Sequence, residues 1–285
     1  MKKFEVHHDH ACLESSPMNH LPTFVKMAPA IIHTPGLFIS PAKRSLARPM
    51  MLRHTMGNVM FTFSGPQLGP VELRVLQGLA GFAALRRPSL PRTGEDKLAD
   101  DVQKLLRHTA AVCTTKNDLA EVIGYSRESG SAQTAISKAL RKLAAVSVSI
   151  RRANSFDALD LSAGHLICDV LDSRHIEVEL SPILAAAVYG GPGTYLRLDL
   201  LEARQLNSDP TRLLHQRLHW VNSGSNRDVS LDKMIGYVWS EEVSASAHRT
   251  RRQVLKQSLN ELTRVGWSVM RHGELYQIGR PRMLS

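Results

Sequence analysis

The most regular pattern of hydrophobic and polar positions lies between residues 246 and 269. Leu255, Leu259 and Leu262 recur at spacings of four and three residues, which places them on one stripe of an α-helix. Gly266 is predicted to end this helix, and the alternation of apolar and polar residues after it indicates a strand. The segment therefore predicts a helix that buries one side and is followed by a short strand.

The remaining surface of this predicted helix is cationic and rich in hydrogen-bond donors. It carries Arg249, Arg252, Gln253, Lys256 and Asn260. Arg and Gln can form paired hydrogen bonds with guanine and adenine in the major groove of DNA. A basic, solvated helix face is also common in proteins that bind no nucleic acid. This segment alone leaves both interpretations open.

The same arrangement occurs a second time in the chain. Residues 131–150 match residues 250–269 in their apolar positions at an offset of 119, and residues 119–125 match residues 231–237 at an offset of 112. The difference of seven residues falls in the loop between two predicted helices, where insertions are tolerated. Internal duplication is a stronger signal than one amphipathic helix, and it predicts two related units.

Each half is predicted to run strand, helix, helix-turn-helix and closing hairpin, which is the order of a winged helix. The predicted fold class is α+β, a tandem winged-helix protein with an irregular N-terminal arm. The predicted divisions are residues 1–58 for the arm, 59–190 for the first domain and 191–285 for the second. A further helix is predicted over about residues 97–108.

The second predicted recognition helix and the two closing hairpins supply most of the candidate DNA-binding residues. On the helix these residues are His248, Arg249, Arg251, Arg252, Gln253 and Lys256. Arg251 falls nearer the apolar stripe, so we expect it to contact a phosphate or to stabilise the fold. On the hairpins the candidates are Arg151, Arg152, Arg271 and His272. Basic hairpin side chains of this kind can contact a minor groove or phosphates.

The first predicted recognition helix has a less basic outer surface. Its outward positions are Thr134, Ser137, Lys138 and Arg141. Hydroxyl groups replace several of the charges of the second helix. We expect this surface either to contact phosphates more weakly or to pack against another protein.

Bulk properties narrow the choice of partner and compartment. The 285 residues carry a formal net charge of +10, which favours a polyanionic partner. No apolar run approaches the roughly 18 residues that cross a bilayer, so no membrane association is expected. The N-terminus lacks the apolar segment of a secretory signal. The three cysteines, Cys12, Cys113 and Cys168, fit a reducing cytoplasm.

Residues with ligand chemistry occur in two places. His7, His8, His10 and Cys12 cluster near the N-terminus, and His215 and His219 have the i, i+4 spacing of a chelating pair. Neither group has a recognisable set of partner ligands in the sequence, and His219 and Gln216 are predicted to face outward. The glycine-rich residues 190–193 lack the lysine of a phosphate-binding loop. We therefore predict no catalytic residue, cofactor or metal.

Several short motifs, taken in order, resemble the RepC replication initiators of IncQ-type plasmids. They are residues 35–38 (PGLF), 63–66 (FSGP), 76–79 (LQGL), 211–218 (TRLLHQRL), 235–239 (IGYVW), 249–253 (RTRRQ), 265–267 (VGW) and 279–281 (GRP). The resemblance spans about residues 35–281 and is weakest in the N-terminal arm and over residues 86–112. It implies binding to directly repeated origin sequences (iterons) in duplex DNA, opening of an adjacent A·T-rich segment, and recruitment of helicase and primase.

These expectations describe a DNA-binding protein that acts with other copies of itself on arrayed sites and is not an enzyme. One alternative is a transcriptional repressor of the same fold. Another is a DNA-nicking enzyme, suggested by residues 8–10 (HDH). Such an enzyme needs an apolar residue between the histidines and a tyrosine on a helix, whereas Asp9 stands here and the tyrosines are predicted in turns or strands.

Overall fold

The computed structural model describes residues 21–40, 49–85, 109–152, 162–171, 175–190, 195–241 and 243–282. Its described elements alternate between strands and helices, so the protein is of mixed α/β class. The strands are β1 (Phe24–Met27), β2 (Pro49–Met56), β3 (Val59–Pro66), β4 (Ala110–Thr115), β5 (Ser147–Arg152), β6 (Ser162–His165), β7 (Ile167–Leu171), β8 (His175–Leu180), β9 (Leu196–Asp199), β10 (Asn226–Ser230), β11 (Ser268–His272) and β12 (Leu275–Gly279).

The helices lie between these strands and carry most of the buried apolar side chains. They are α1 (Pro29–His33), α2 (Pro70–Leu85), α3 (Lys116–Val122), α4 (Gly130–Ala144), α5 (Pro182–Tyr189), α6 (Leu200–Gln205), α7 (Asp209–Leu218), α8 (Leu231–Val238) and α9 (Ala245–Arg264). The helix predicted near residues 97–108 lies outside the described residues. None of the described helices is long and apolar enough to cross a bilayer.

The two halves share an order of elements and an order of strands. In each, a strand leads into a short helix, a longer helix follows, and a hairpin closes the unit: β4, α3, α4, β7 and β8 in the first half, then β10, α8, α9, β11 and β12 in the second. Both three-stranded sheets place the last strand in the centre, as β4-β8-β7 and β10-β12-β11. The internal repeat seen in the sequence therefore corresponds to a repeated topology.

Side chains at matching positions of the repeat have matching burial. On α4 Ile136 and Leu143 are fully buried, and so are their counterparts on α9, Leu255 and Leu262. The helix stops where the sequence places its end, because Gly266 takes a φ of +90°, which disfavours other residues. The apolar stripe is thus the contact face of both helices.

The strand after α4 departs from the expected arrangement. We predicted that β5 would begin the closing hairpin of the first half, the position that β11 has in the second half. Instead β5 pairs with β3 and β6 in a separate sheet of order β2-β3-β5-β6, and β7 with β8 forms the hairpin beside β4. The apolar alternation of β5 is satisfied by this second sheet, where Val148 and Ile150 are buried.

The prediction of an irregular arm is wrong for the part of residues 1–58 that the structure describes. β1 pairs antiparallel with β9, α1 buries Ile31 and Ile32, and β2 pairs with β3 along its whole length. Apolar residues in this segment obtain burial from distant strands, so local periodicity does not reveal them. The β2–β3 hairpin also crosses the predicted boundary at residue 58, while the domain divisions themselves stay a prediction.

One contiguous hydrophobic core includes residues of both halves and of β1 and α1. Arg204 fastens the halves together, because its guanidinium donates to the carbonyl of Val122 and to that of Pro22, each at 2.7 Å. Arg217 similarly donates to the carbonyl of Ile32 at 2.7 Å. The core holds α4 and α9 through their apolar stripes and leaves their other faces at the surface.

Candidate nucleic-acid interface

Helix α9 is the longest described helix, with 20 residues and a length of about 30 Å. Ser244 caps its N-terminus by accepting a hydrogen bond from the backbone of Ala247. Its first turn contains no acidic residue. The N-terminal half of α9 therefore combines the positive end of the helix dipole with its cluster of arginines.

Three of the predicted side chains form an exposed row along α9. Arg249, Gln253 and Lys256 are all exposed, and their spacings of four and three residues place them on one face. Asn260 continues the row and is also exposed. This row has the donor-rich chemistry expected of a surface that enters a DNA groove.

Arg252 and His248 meet an acidic residue of the neighbouring helix α8. Nη1 of Arg252 lies 2.9 Å from Oδ1 of Asp232, and Nε2 of His248 lies 3.6 Å from the same oxygen. Nη2 of Arg252 also lies 4.0 Å from Glu274 in the turn between β11 and β12. Arg252 thus links α9 to α8 and to the β11–β12 hairpin, and the two carboxylates partly compensate its positive charge.

Arg251 turns away from the exposed row and contacts the loop before α9. Its guanidinium donates to the carbonyl of Glu241 at 2.7 Å and lies 5.4 Å from the centre of the Trp239 ring. Burial lowers the pKa of Arg251. Of the two roles expected for this residue, the observed contacts correspond to stabilising the fold.

The predicted residues of α4 line a shallow polar cleft of about 280 Å³. Thr134, Ser137, Lys138 and Arg141 lie on one side, and Lys116 at the start of α3 lies across from them. The hydroxyls of Thr134 and Ser137 donate to carbonyls one turn back in their own helix. Lys116 was missed by the sequence analysis, because only the fold brings the start of α3 next to α4.

The basic hairpin residues occupy two different sheets. Arg271 and His272 are exposed at the end of β11, and Nε of Arg271 donates to the carbonyl of Gly273 at 2.9 Å. Arg151 and Arg152 are exposed at the end of β5, in the sheet that contains β2 and β3. The second pair therefore does not lie on the hairpin that closes the first repeat.

The histidine pair of α7 differs from its prediction. Gln216 and His219 were expected to face outward, but they are 2% and 1% exposed. A third potential ligand, Glu202, stands beside His215 and His219. It comes from α6, so the spacing within α7 gave no sign of it.

The residues weighed for metal binding or DNA nicking lie in different parts of the chain. Residues 7–12, including the HDH segment, lie outside the described residues. Tyr189 and Tyr237 belong to α5 and α8, which corrects the expectation that the tyrosines lie in turns or strands. Tyr237 packs against the guanidinium of Arg217, 5.0 Å from the ring centre.

The fold and this surface define a mixed α/β protein that presents two cationic, amphipathic helices on a duplicated framework. Among the curated proteins compared with the chain, none matches it. A protein-family model matches residues 19–282, and the chain belongs to that family, replication protein C (RepC). Membership in this family supports a role in the initiation of replication, in agreement with the resemblance found in the sequence motifs.

Two solved structures are similar in outline. One is the crystal structure of RctB domains 2 and 3, which has 10% sequence identity and a TM-score of 0.49, and covers 88% of this chain and 96% of that one. The other is the selenomethionine derivative of RctB domains 2 and 3, with 9% identity and a TM-score of 0.49, covering 85% of this chain and 94% of that one.

Proposed function

We propose that this protein initiates plasmid replication by binding directly repeated origin sequences in duplex DNA. The observation that carries the proposal is the exposed row of Arg249, Gln253 and Lys256 on a helix whose opposite stripe is buried. Such a helix can lie in a major groove without disturbing the core. The net charge of +10 and the family membership support a phosphate-rich partner at an origin.

Each half is proposed to be a winged-helix unit, with α4 and α9 as recognition helices. The common strand orders β4-β8-β7 and β10-β12-β11 support this assignment, because the helix pair and the hairpin occur in the same sequence in both. The two helices would enter successive major grooves on one face of the duplex, about one helical turn apart. Helix α9 would contribute most of the base contacts, since α4 offers fewer charged donors.

Opening of the A·T-rich segment is proposed to be driven by the binding energy of several bound copies. Bending or opening duplex DNA takes several kcal/mol, which arrayed copies can supply together. Helicase and primase would then join the opened segment. The protein would perform no bond chemistry of its own in this scheme.

Binding to a single repeat and to tandem repeats, measured by fluorescence anisotropy at several salt concentrations, tests the proposal. Arg249→Ala and Lys256→Ala should each weaken binding about 5- to 150-fold, since a charged donor contact to DNA contributes about 1–3 kcal/mol. Arg53→Ala, which removes an exposed charge from β2, is the matched control and should have little effect.

The same assay separates base contacts from phosphate contacts. A variant that lowers affinity equally for the repeat and for a scrambled duplex has lost a phosphate contact, and its salt slope should fall by about one. Loss of preference for the repeat identifies a base contact. If neither substitution on α9 weakens binding more than Arg53→Ala does, the proposed interface is wrong.

A second assay distinguishes an initiator from a repressor of the same fold. An initiator restores replication to a plasmid that carries the origin but lacks its own initiator. A repressor binds a promoter and silences it but leaves such a plasmid unable to replicate.

A further inference from the structure

Three side chains with metal-binding atoms converge where α6 and α7 meet Trp267. Glu202 lies on α6, His215 lies in α7, and His219 follows the last residue of that helix. One ligand atom from each of the three lies within 4.8 Å of the others. Both imidazoles are 1% exposed. None of these three residues belongs to the exposed row of α9 or to the proposed DNA contact.

The orientation of His219 leaves one ring nitrogen directed into this buried space. Its Nδ1 donates to the carbonyl of His215 at 2.7 Å, so the lone pair lies on Nε2. Nε2 is buried and has no hydrogen-bond partner among the described residues. A neutral imidazole fixed through Nδ1 is the form that binds a metal through Nε2.

Glu202 is held in place by a second group. Nε1 of Trp267 donates to Oε2 of Glu202 at 2.9 Å, and the same oxygen lies 2.9 Å from Nε2 of His215. The indole also packs edge-on against both imidazoles, with ring centres 5.7 and 5.6 Å apart. Hydrogen bonds and packing of this kind orient the ligands of metal sites.

The hydrogen bond between His215 and Glu202 gives two of the three side chains a polar partner. It does not account for the buried lone pair of His219, which loses its hydration without gaining a partner. A metal ion would satisfy all three. Ligand atoms about 2.0–2.1 Å from one ion stand about 3–3.4 Å apart, so the pair at 2.9 Å is nearly in position. The atom of His219 lies within 4.8 Å of both and would have to come within the same range.

We propose that Glu202, His215 and His219 form a binding site for a divalent first-row transition metal, with Zn²⁺ as the matching ion. Two imidazole nitrogens and one carboxylate are a ligand set that such ions favour over Mg²⁺ or Ca²⁺. The bound ion would hold α7 against Trp267, three residues beyond the end of α9. Its role would therefore be to fix the position of α9 rather than to activate a substrate.

The test uses the full-length protein stripped with a chelator and then titrated with Zn²⁺ alone. Elemental analysis after dialysis should give one zinc per chain, and the thermal midpoint should rise because the ion binds the folded state. Glu202→Gln and His219→Gln should each weaken zinc binding at least 10-fold. Replacing Zn²⁺ by Co²⁺ should give the visible absorption bands of a site with nitrogen and oxygen ligands.

The N-terminal residues His7, His8 and His10 require a matched control, because they can also bind zinc. Changing these three to Gln should leave the affinity and stoichiometry unchanged. Loss of zinc only in this triple variant would overturn the proposal, as would unchanged binding in His219→Gln or the absence of stoichiometric zinc in the unaltered chain. If His219→Gln fails to fold, X-ray absorption of the unaltered protein decides, because it must find two imidazole ligands.

Discussion

In the proposed interface Asp232 competes with DNA for Arg252, so replacing Asp232 should change the affinity for DNA. The carboxylate of Asp232 lies 2.9 Å from the Arg252 guanidinium, at the edge of the face that carries Arg249 and Gln253. Both partners are exposed, with 36% of the Arg252 side chain and 64% of the Asp232 side chain accessible. Asp232→Asn should release Arg252 and remove a negative charge that repels phosphate.

The expected size of the effect follows from this exposure. An exposed ion pair of this kind contributes about 0.2–1 kcal/mol. Releasing Arg252 should therefore tighten DNA binding by about 1.4- to 5-fold, given that 1.4 kcal/mol corresponds to a factor of ten. The gain should shrink at high salt, because surface charges are screened.

Anisotropy with a repeat duplex and a scrambled duplex measures this prediction, with Asp228→Asn as the control for losing any exposed acid. The Asp232→Asn gain should exceed that of Asp228→Asn and should disappear when Arg252 is changed to Ala. An equal gain in the Arg252→Ala background would mean that only overall charge matters. Weaker and less selective binding would mean that Asp232 orients Arg252 for base contact, which would refute the competition argued here.

Three further predictions concern stability. Glu261 accepts hydrogen bonds from Asn207 and Ser208, which precede α7, and from Thr211 in its first turn. Burial opposes the ionisation of Glu261, but these bonds outweigh burial and lower its pKa. Glu261→Gln should therefore lower the free energy of unfolding by about 1–2 kcal/mol in urea titrations, whereas Glu274→Gln, at an 87% exposed side chain, should change it by under about 0.5 kcal/mol. Leu259→Ala should lower it by about 2–5 kcal/mol, because the side chain is 2% exposed and its loss leaves a cavity; a loss below 1 kcal/mol would contradict the assignment of the buried stripe. Burial, with repulsion from Arg217, lowers the pKa of His33 from 6.5 to about 4, so the unfolded chain binds the proton first. The contribution of neutral His33 to the free energy of unfolding should be complete above pH 6.5 and should fall by about 1–2 kcal/mol toward pH 4, after allowance for solvent screening. His33→Gln should flatten the dependence of the free energy of unfolding on pH in this range, and an unchanged slope would assign that dependence to other groups.

The helices that form the candidate interface could be predicted because their signal is local. On α9, Leu255 and Leu259 meet the core at the period of the helix itself, and no knowledge of the partner surface is needed. Capping residues reinforce the pattern, since Ser230 and Ser244 each accept a backbone hydrogen bond at the start of a helix. The internal repeat showed the same pattern at a second place in the chain, which supported the prediction of these helices.

Strand partners and convergent side chains were harder, because they depend on residues far away in the chain. β1 pairs with β9 across about 170 positions, and β5 joins β3 instead of the sheet beside α3. Glu202 meets His215 only because α6 packs beside α7. An alternating or helical pattern specifies which side of an element is buried, but it does not specify what covers that side.

The positive charge of the chain illustrates the same limit for function. Arg74, Arg204, Arg217 and Arg280 contribute to the net charge, yet each donates to backbone carbonyls inside the fold. Burial lowers the pKa of all four, and that of Arg74 to about 10, so they remain charged at neutral pH while facing protein atoms. Net charge therefore overstates the surface available to phosphate. The proposed DNA contact depends instead on exposed cations such as Arg249 and Lys256, which lie on one side of α9 while the opposite stripe packs on the core.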